Sequence, residues 1–179
     1  MTTNQIAGIF ETMEQADSPG WVVFGNKRFR ALNLPPCALD VRDGQAEEAL
    51  EVKCLARKRF VSLEPEEWVR QHWIHYLTHD LKYPLGLTSI EFSLNLNGQL
   101  LRADIVCFDR HAKPLIMVEC KQPEIQLKKE TLDQILRYHL VLKTPILIIS
   151  NGLEHKGFAF GEEKFTPIQS IPRYVDATS

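Results

Sequence analysis

The spacing of apolar residues changes along the chain, and each change predicts a different element. From Pro65 to about Leu81 these residues recur at helical spacing, at Val69, Trp73, Tyr76 and Leu77. Proline suits the first turn of a helix, and the acidic residues that follow it complement the helix dipole. We therefore expect a helix here that ends before Pro84 and Gly86.

Strict alternation of apolar and polar residues replaces the helical spacing over Ser89–Leu96. Asn97–Gly98 follows, which is a strong short-range signal for a hairpin turn, and Leu100–Phe108 is predicted to be the second strand. The two strands are therefore expected to pair antiparallel. Leu115–Lys121 has a high density of apolar residues, which is typical of a strand buried on both faces near the centre of a sheet.

A second helix is predicted over Lys128–Lys143, with inward-facing residues Leu132, Ile135, Leu136 and Leu140. It is followed by the apolar strand Pro145–Ile149 and the turn Asn151–Gly152. The order helix, hairpin, central strand, helix and strand predicts an α/β fold. We expect a three-layer sandwich in which a central mixed sheet is flanked by helices.

The N-terminal part of the chain carries weaker patterns. Four short elements are expected there: a helix Gln5–Gln15, a strand Trp21–Phe24, a hairpin of Leu39–Val41 with Leu50–Val52, and a strand Phe60–Leu63. We treat residues 1–30 as an N-terminal extension of undefined structure and residues 31–179 as one domain.

Composition and charge narrow the class of protein. The chain has 179 residues, of which 44% are hydrophobic and 25% charged, and this fits one globular domain and excludes disordered and coiled-coil chains. A net charge of -2 gives no overall basic field, so a nucleic-acid contact would need a local basic patch. Neither a membrane span nor a secretory signal is recognisable, so we expect a cytoplasmic protein whose four cysteines are reduced thiols.

Two carboxylates and a lysine are the main candidates for chemistry. Asp104 lies in the second hairpin strand, and Glu119 and Lys121 end the next strand two residues apart, so these two side chains share a face. If the strands are neighbours, the carboxylates can hold Mg²⁺, with the backbone carbonyl of Cys120 as a third protein ligand. Lys121 would then orient or help deprotonate the attacking water and offset charge on the phosphate. These residues predict phosphodiester hydrolysis.

The same residues also fit a solvated pair at the rim of a sheet, because an Asp and a Glu-x-Lys occur on strands by chance. Chemistry is favoured because Asp104 and Glu119 adjoin strongly apolar runs, where an unpaired carboxylate is costly to bury. Gln134 and Tyr138 are four residues apart on the second helix, so they share a face from which both can hydrogen-bond a phosphate or base edge. They equally fit an ordinary amphipathic border.

Taken in order, these residues resemble the motifs of a known superfamily. The PD-(D/E)XK nucleases have motifs similar to the series Arg102-Ala103-Asp104, Val118-Glu119-Cys120-Lys121, Gln134-x-x-x-Tyr138 and Ser150-Asn151-Gly152. A second series, Pro65–Gln71 followed by Tyr83-Pro84 and Glu91, resembles the N-terminal domain of type I restriction enzyme R subunits. More narrowly, it resembles the small stand-alone bacterial proteins that are related to this domain. The likeness covers about Ala31 to Tyr174. Ala103 and Ser150 depart from the usual proline and threonine, and neither departure removes a ligand.

The resemblance implies a restriction-endonuclease-like fold and Mg²⁺-dependent DNA cleavage, with Mn²⁺ able to substitute. It implies that Asp104 and Glu119 are metal ligands and that Lys121 is the catalytic lysine. A helix glutamate, Glu67 or Glu66, would match the acidic residue that some members add to the metal shell. The residues expected to contact DNA are Gln134, Tyr138, Arg102 and Lys128.

The sequence contains no G-x-x-x-x-G-K-[ST] phosphate loop, so we expect no ATP-driven DNA motor in this chain.

The expected partners are DNA, separate restriction-system subunits and a second copy of the chain. A homodimer is expected because a two-fold pair is the simplest way to cut both strands of a duplex. The alternative function is a non-catalytic module that keeps the nuclease fold to bind DNA or a protein.

Two other clusters carry weaker signals. His72, His75 and His79 lie near one helix face, yet neither a fourth ligand nor an H-E-x-x-H motif accompanies them, so a half-exposed face is the better interpretation. Arg57-Lys58-Arg59 and Lys128-Lys129 can contact phosphates, although surface solubility explains both equally well.

Overall fold

A computed structural model describes residues 20–46, 48–161 and 164–178. The helices in these ranges are α1 (Pro65–His75), α2 (Lys129–Leu142) and α3 (Tyr174–Ala177). The strands are β1 (Trp21–Phe24), β2 (Lys27–Arg30), β3 (Val41–Asp43), β4 (Leu50–Cys54), β5 (Arg59–Ser62), β6 (Thr88–Leu96), β7 (Gln99–Phe108), β8 (Pro114–Cys120), β9 (Ile146–Ser150), β10 (His155–Gly161) and β11 (Lys164–Pro167). A 3-10 turn, Leu85–Leu87, precedes β6.

The central sheet has six strands in the order β11-β10-β9-β8-β7-β6. Strands β8 and β9 are parallel, and the other neighbours are antiparallel, so the sheet is mixed as predicted. The hairpin of β6 and β7 turns at Asn97 and Gly98, both with positive φ, which confirms the turn expected from this dipeptide. Strands β7 and β8 are adjacent in the sheet, which is the condition for Asp104 to lie near Glu119.

Helices cover both faces of this sheet. On one face, Trp73 of α1 belongs to the same buried cluster as Val118 of β8. On the other face, Ile135 of α2 belongs to a cluster with Met117 of β8. Alternate residues of β8 thus face opposite layers, and burying each large apolar side chain contributes about 2 kcal/mol. The predicted α/β three-layer sandwich is confirmed.

Two small sheets lie before α1. Strands β3, β4 and β5 form one antiparallel sheet, and β1 with β2 forms a hairpin. The ring of Phe29 on β2 lies 5.3 Å from that of Trp68 on α1, whose indole N–H donates to the carbonyl of Arg30 at 2.9 Å. The hairpin therefore packs directly on the helix that carries Arg70 and Glu67.

Some elements differ from the sequence prediction. The α-helical geometry of α1 ends at His75, and the remainder of the predicted helix is one π-helical turn, Tyr76–Asp80, in which the Thr78 hydroxyl donates to the Ile74 carbonyl. Strands β2, β10 and β11 were not predicted. The predicted helix Gln5–Gln15 lies outside the described residues.

No helix in the described part of the chain is long and apolar enough to cross a membrane. The four cysteines are free thiols, as expected, and three of them are buried.

Candidate functional site

Asp104 lies at the end of the ladder between β7 and β8. The pairs run from Ile105–Val118 to Phe108–Pro114. Just beyond the first pair, Oδ2 of Asp104 accepts a 2.7 Å hydrogen bond from the backbone N–H of Cys120. The carboxylate therefore takes the place of a backbone acceptor and is fixed against the end of β8.

Glu119 and Lys121 form an ion pair at the same strand end. Nζ of Lys121 donates to Oε1 of Glu119 at 2.8 Å. The backbone N–H of Lys121 donates to the carbonyl of Ser150 on β9 at 2.8 Å, which holds the chain as it leaves the sheet. The structure thus brings together Asp104, Glu119 and Lys121, as expected for neighbouring strands.

Burial and charge both act on these groups. Burial, followed by the negative charge of Asp104, raises the pKa of Glu119 to about 7, while Lys121 opposes this shift. Burial lowers the pKa of Lys121, but the charge of Glu119 and its hydrogen bond outweigh burial and raise the pKa overall. Lys121 is therefore an ammonium ion at neutral pH, and the two carboxylates are close enough to repel each other.

The guanidinium of Arg70, on α1, lies among three carboxylates. Its Nη2 donates to Oδ1 of Asp104 at 2.7 Å and to Oε1 of Glu66 at 2.9 Å. Its Nη1 donates to Oε2 of Glu67. Burial lowers the pKa of Arg70, but Asp104 and Glu67 raise it overall, so this side chain is a permanent cation.

A second arginine extends the network. Arg57, in the turn between β4 and β5, donates to Oε1 of Glu67 at 2.9 Å and lies 2.8 Å from Oε2 of Glu91. Gln71 also donates to Oε1 of Glu67, at 2.6 Å, and Arg102 lies 3.4 Å from Glu91. Both oxygens of Glu67 are therefore engaged by side chains of the protein.

Glu91 occupies a sparsely populated backbone conformation. Its φ of 54° lies in the left-handed region, which is uncommon for residues other than glycine. The register of β6 on β7 places Glu91 across from Asp104. Such strain concentrates at functional sites, where surrounding contacts hold it, and here the contacts are the ion pairs with Arg57 and Arg102.

The residues expected to contact DNA lie in different environments. Tyr138 is buried and its hydroxyl donates to the carbonyl of Arg102 at 3.1 Å, so it supports β7 from within the core. The side chain of Arg102 is exposed beside Glu91, and Lys128 is exposed just before α2. Gln134 lies on α2, but its side chain is outside the described residues.

The weaker candidates also differ from expectation. Arg57 is only 11% exposed and is held in ion pairs with Glu67 and Glu91, so it does not offer a surface contact for phosphate. His72 is buried rather than half-exposed, with Nδ1 2.8 Å from the carbonyl oxygen of Trp68, whereas the rings of His75 and His79 stack 4.0 Å apart. Among the described residues, no group of three or more His, Cys, Asp or Glu side chains is arranged to hold a metal ion.

Two carboxylates nevertheless suit Mg²⁺ chemically. Mg²⁺ prefers hard oxygen ligands, keeps several waters and is commonly bound through only one or two carboxylates. Asp104 and Glu119 are such donors, and the raised pKa of Glu119 reflects burial and negative charge that a cation would offset. Glu67 and Glu66 are instead held by Arg70, which also occupies one oxygen of Asp104.

The ion network contains three residues that the sequence did not place there: Arg70, which was not singled out, Arg57, considered only as a phosphate contact, and Glu91, named only in the family resemblance. A signal for Arg70 exists, since it lies three and four residues after Glu67 and Glu66, at the spacing of helix ion pairs. The hydrogen bond of Arg70 to Asp104 joins residues 34 positions apart, and the residue pattern of the helix does not reveal this contact.

A comparison with protein families places these residues in a known context. A family model described as type I restriction enzyme R protein N terminus matches residues 65–172, more than half of the chain. The chain belongs to this family. The region shared with the type I restriction enzyme R protein N terminus contains Asp104, Glu119, Lys121 and Arg70, whereas Arg57 precedes it.

Comparisons with curated proteins and with solved structures add little to the family match. No curated protein matches the chain. Among solved structures, the chain is similar to a fragment described as the HsdR subunit of a type I restriction enzyme from Vibrio vulnificus, with a TM-score of 0.49 and 15% identity. This likeness covers 65% of the present chain and 25% of that chain.

Proposed function

We propose that this chain is a divalent-metal-dependent DNA endonuclease domain, in which Asp104 and Glu119 hold Mg²⁺ and Lys121 assists hydrolysis of a phosphodiester. The observation that carries the proposal is the meeting of these three side chains at the end of β8, where the ladder between β7 and β8 stops. Membership of the type I restriction enzyme R protein N-terminus family supports it. Mn²⁺ is expected to substitute for Mg²⁺.

Each residue has a distinct part in this proposal. A bound Mg²⁺ would supply Lewis-acid polarisation of the phosphate and a more acidic water. The Cys120 amide keeps Asp104 oriented, and Lys121 keeps Glu119 oriented. Because Lys121 is an ammonium ion, it offsets negative charge on the phosphate and orients the water rather than accepting its proton.

The test is cleavage of DNA by the purified chain. Supercoiled plasmid, linear duplex and single-stranded DNA are incubated with Mg²⁺ or Mn²⁺, with EDTA as the metal-free arm. Asp104→Asn keeps the size of the side chain, and Lys121→Ala removes the ammonium. We expect each to lower the cleavage rate by about a hundredfold or more, because both act on charge in the transition state.

Lys113→Ala is the matched control, since Lys113 is an exposed lysine at the opposite end of β8 from Lys121. It should leave the cleavage rate unchanged. Circular dichroism must show that all three variants are folded. Metal-dependent cleavage that survives both Asp104→Asn and Lys121→Ala would contradict the proposed site.

A second function is favoured by one observation, the guanidinium of Arg70 on Asp104 and Glu67. A carboxylate site whose charge is already neutralised by an arginine needs no metal ion. Such a site is expected in a non-catalytic module that binds DNA or protein. Such a module would bind DNA equally well with EDTA and with Mg²⁺, and calorimetry would show no Mg²⁺ or Mn²⁺ binding.

We also propose three partners: DNA, separate subunits of a restriction system, and a second copy of the chain. Exposed Arg102 and Lys128 are available for phosphate contacts, which carry much of the affinity for DNA. A salt series of DNA binding tests this contribution, because each lost phosphate contact lowers the slope of affinity against salt.

A further inference from the structure

The position of Arg70 has a consequence for metal binding. Its guanidinium contacts Asp104, Glu66 and Glu67 from α1, and its side chain is only 7% exposed. A buried arginine cannot shed its proton, so its charge persists wherever it is placed. The carboxylate of Asp104 is therefore already neutralised when no metal is bound.

A divalent ion on Asp104 would meet this cation directly. Two like charges at such a distance repel strongly in a partly desolvated site. Nη2 of Arg70 has a second acceptor in Glu66, whose side chain is 45% exposed, and Nη1 keeps its bond to Glu67. The guanidinium can thus give up Asp104 and keep carboxylate partners on its own helix.

We propose that Arg70 is a built-in counter-cation that neutralises Asp104 in the metal-free protein, competes with the divalent ion for that carboxylate and so sets the affinity of the site for metal. This inference rests on the proposed function. Arg70 is a positioning residue here, because it acts through Asp104. Two states follow: Arg70 on Asp104 without metal, and Arg70 withdrawn toward Glu66 and Glu67 with metal.

Calorimetric titration of the whole chain with Mg²⁺, and separately with Mn²⁺, tests the competition. Arg70→Gln removes the charge and keeps a hydrogen-bond donor. We expect it to bind metal about tenfold more tightly than wild type, because the metal no longer displaces a cation. Arg42→Gln is the control for net charge, since Arg42 is paired with Glu51 on the separate sheet of β3, β4 and β5, and the metal affinity of this variant should match wild type.

Thermal unfolding gives a second readout on the same proteins. Without metal, Arg70→Gln leaves buried carboxylates uncompensated and should unfold at a lower temperature than wild type. Added Mg²⁺ should raise its midpoint more than that of wild type, because it binds the variant more tightly. A purely structural arginine would give a loss of stability that metal does not restore.

Wild-type protein provides a readout that does not depend on the variant folding. The side-chain Nε–H resonance of Arg70, assigned in isotope-labelled wild type through its couplings to the Arg70 backbone, should shift during a Mg²⁺ titration. The shift should follow the same binding curve as the backbone amide of Cys120, which bonds Asp104.

The outcomes separate the two claims. Tighter metal binding by Arg70→Gln, with a moving Arg70 resonance in wild type, supports the inference. Equal or weaker binding by the variant, or a resonance that stays fixed while wild type binds metal, overturns the inference and leaves the proposed function standing. Metal binding by neither protein overturns both.

Discussion

At the scale of single residues, the stability of the site depends on the hydrogen bonds and ion pairs that each buried charge makes. Asp104 accepts bonds from Arg70 and from the Cys120 amide, and Glu119 is held by Lys121. Removing one partner of a buried pair usually costs about 3–5 kcal/mol, because the other charge stays buried. Stability and chemistry are therefore coupled at these positions, and variants need a folding control.

His155 gives a prediction for pH dependence. Its Nδ1 lies 2.7 Å from the Ser150 hydroxyl, and its Nε2 lies 2.8 Å from the carbonyl oxygen of Asn33. Burial lowers its pKa from 6.5 to about 4, with the Asn33 carbonyl opposing this shift. Between these values the unfolded chain binds the proton and the folded chain does not, so stability falls as the pH falls. The loss contributed by His155 should reach about 3 kcal/mol near the lower value.

His155→Gln removes this titration and keeps an amide that can bond both neighbours. Urea unfolding of the variant across the same pH range should show a shallower fall in the free energy of unfolding than wild type. His111→Gln, at an exposed histidine, is the control and should keep the wild-type fall. An unchanged fall in His155→Gln would refute the assignment.

At the scale of elements, the turn after β9 holds the residues beside the site in place through hydrogen bonds. Lys121 donates its backbone N–H to Ser150, and the Asn151 amide donates to the carbonyl of Ile125 in the loop before α2 at 2.9 Å. The Gly152 carbonyl accepts from the backbone N–H of Asn33 at 2.7 Å. One turn thus joins β8, the loop before α2 and the segment before β3.

Gly152 tests how tightly this turn is packed. Its φ is +82°, and an added Cβ would lie 2.6 Å from Cδ2 of Leu32 and 3.0 Å from Cγ2 of Val69 on α1. Gly152→Ala should lower the free energy of unfolding by about 2–4 kcal/mol, from backbone strain and overpacking together.

Gly98→Ala is the matched control, because Gly98 has a φ of +86° but no atom within 4 Å of the added Cβ. Its free energy of unfolding should fall by about 1 kcal/mol, which is the cost of placing alanine at a positive φ without any steric contact. Urea unfolding at neutral pH compares the two variants. Equal losses would mean that the contact of Gly152 with Leu32 and Val69 does not constrain the turn.

At the scale of the whole molecule, the sequence predicts the elements with strong local signals. Asn97–Gly98 and the apolar run ending at Lys121 were sufficient to place β6, β7 and β8, and therefore Asp104, Glu119 and Lys121. The β10–β11 hairpin was missed because glycines interrupt its alternation at Gly157 and Gly161. These weak patterns become strands only because the edge of β9 offers a partner.

The ion network around the site was not predictable in the same way. Arg70 meets Asp104 across 34 residues, and Arg57 meets Glu91 through an unusual backbone at Glu91. Neither contact leaves a periodic trace in the sequence, because both depend on how α1 and the β4–β5 turn dock on the sheet. Charge neutralisation inside the site is therefore a property of the assembled fold.

The central claim is that Asp104 and Glu119 hold a divalent metal in this chain. Anomalous diffraction from crystals soaked in Mn²⁺ tests it most directly, because the signal locates the metal without reference to activity. We expect an anomalous peak between the carboxylates of Asp104 and Glu119, with the guanidinium of Arg70 withdrawn from Asp104. Crystals of wild-type protein in which Mn²⁺ binds elsewhere, or nowhere, while Arg70 stays on Asp104 would contradict it.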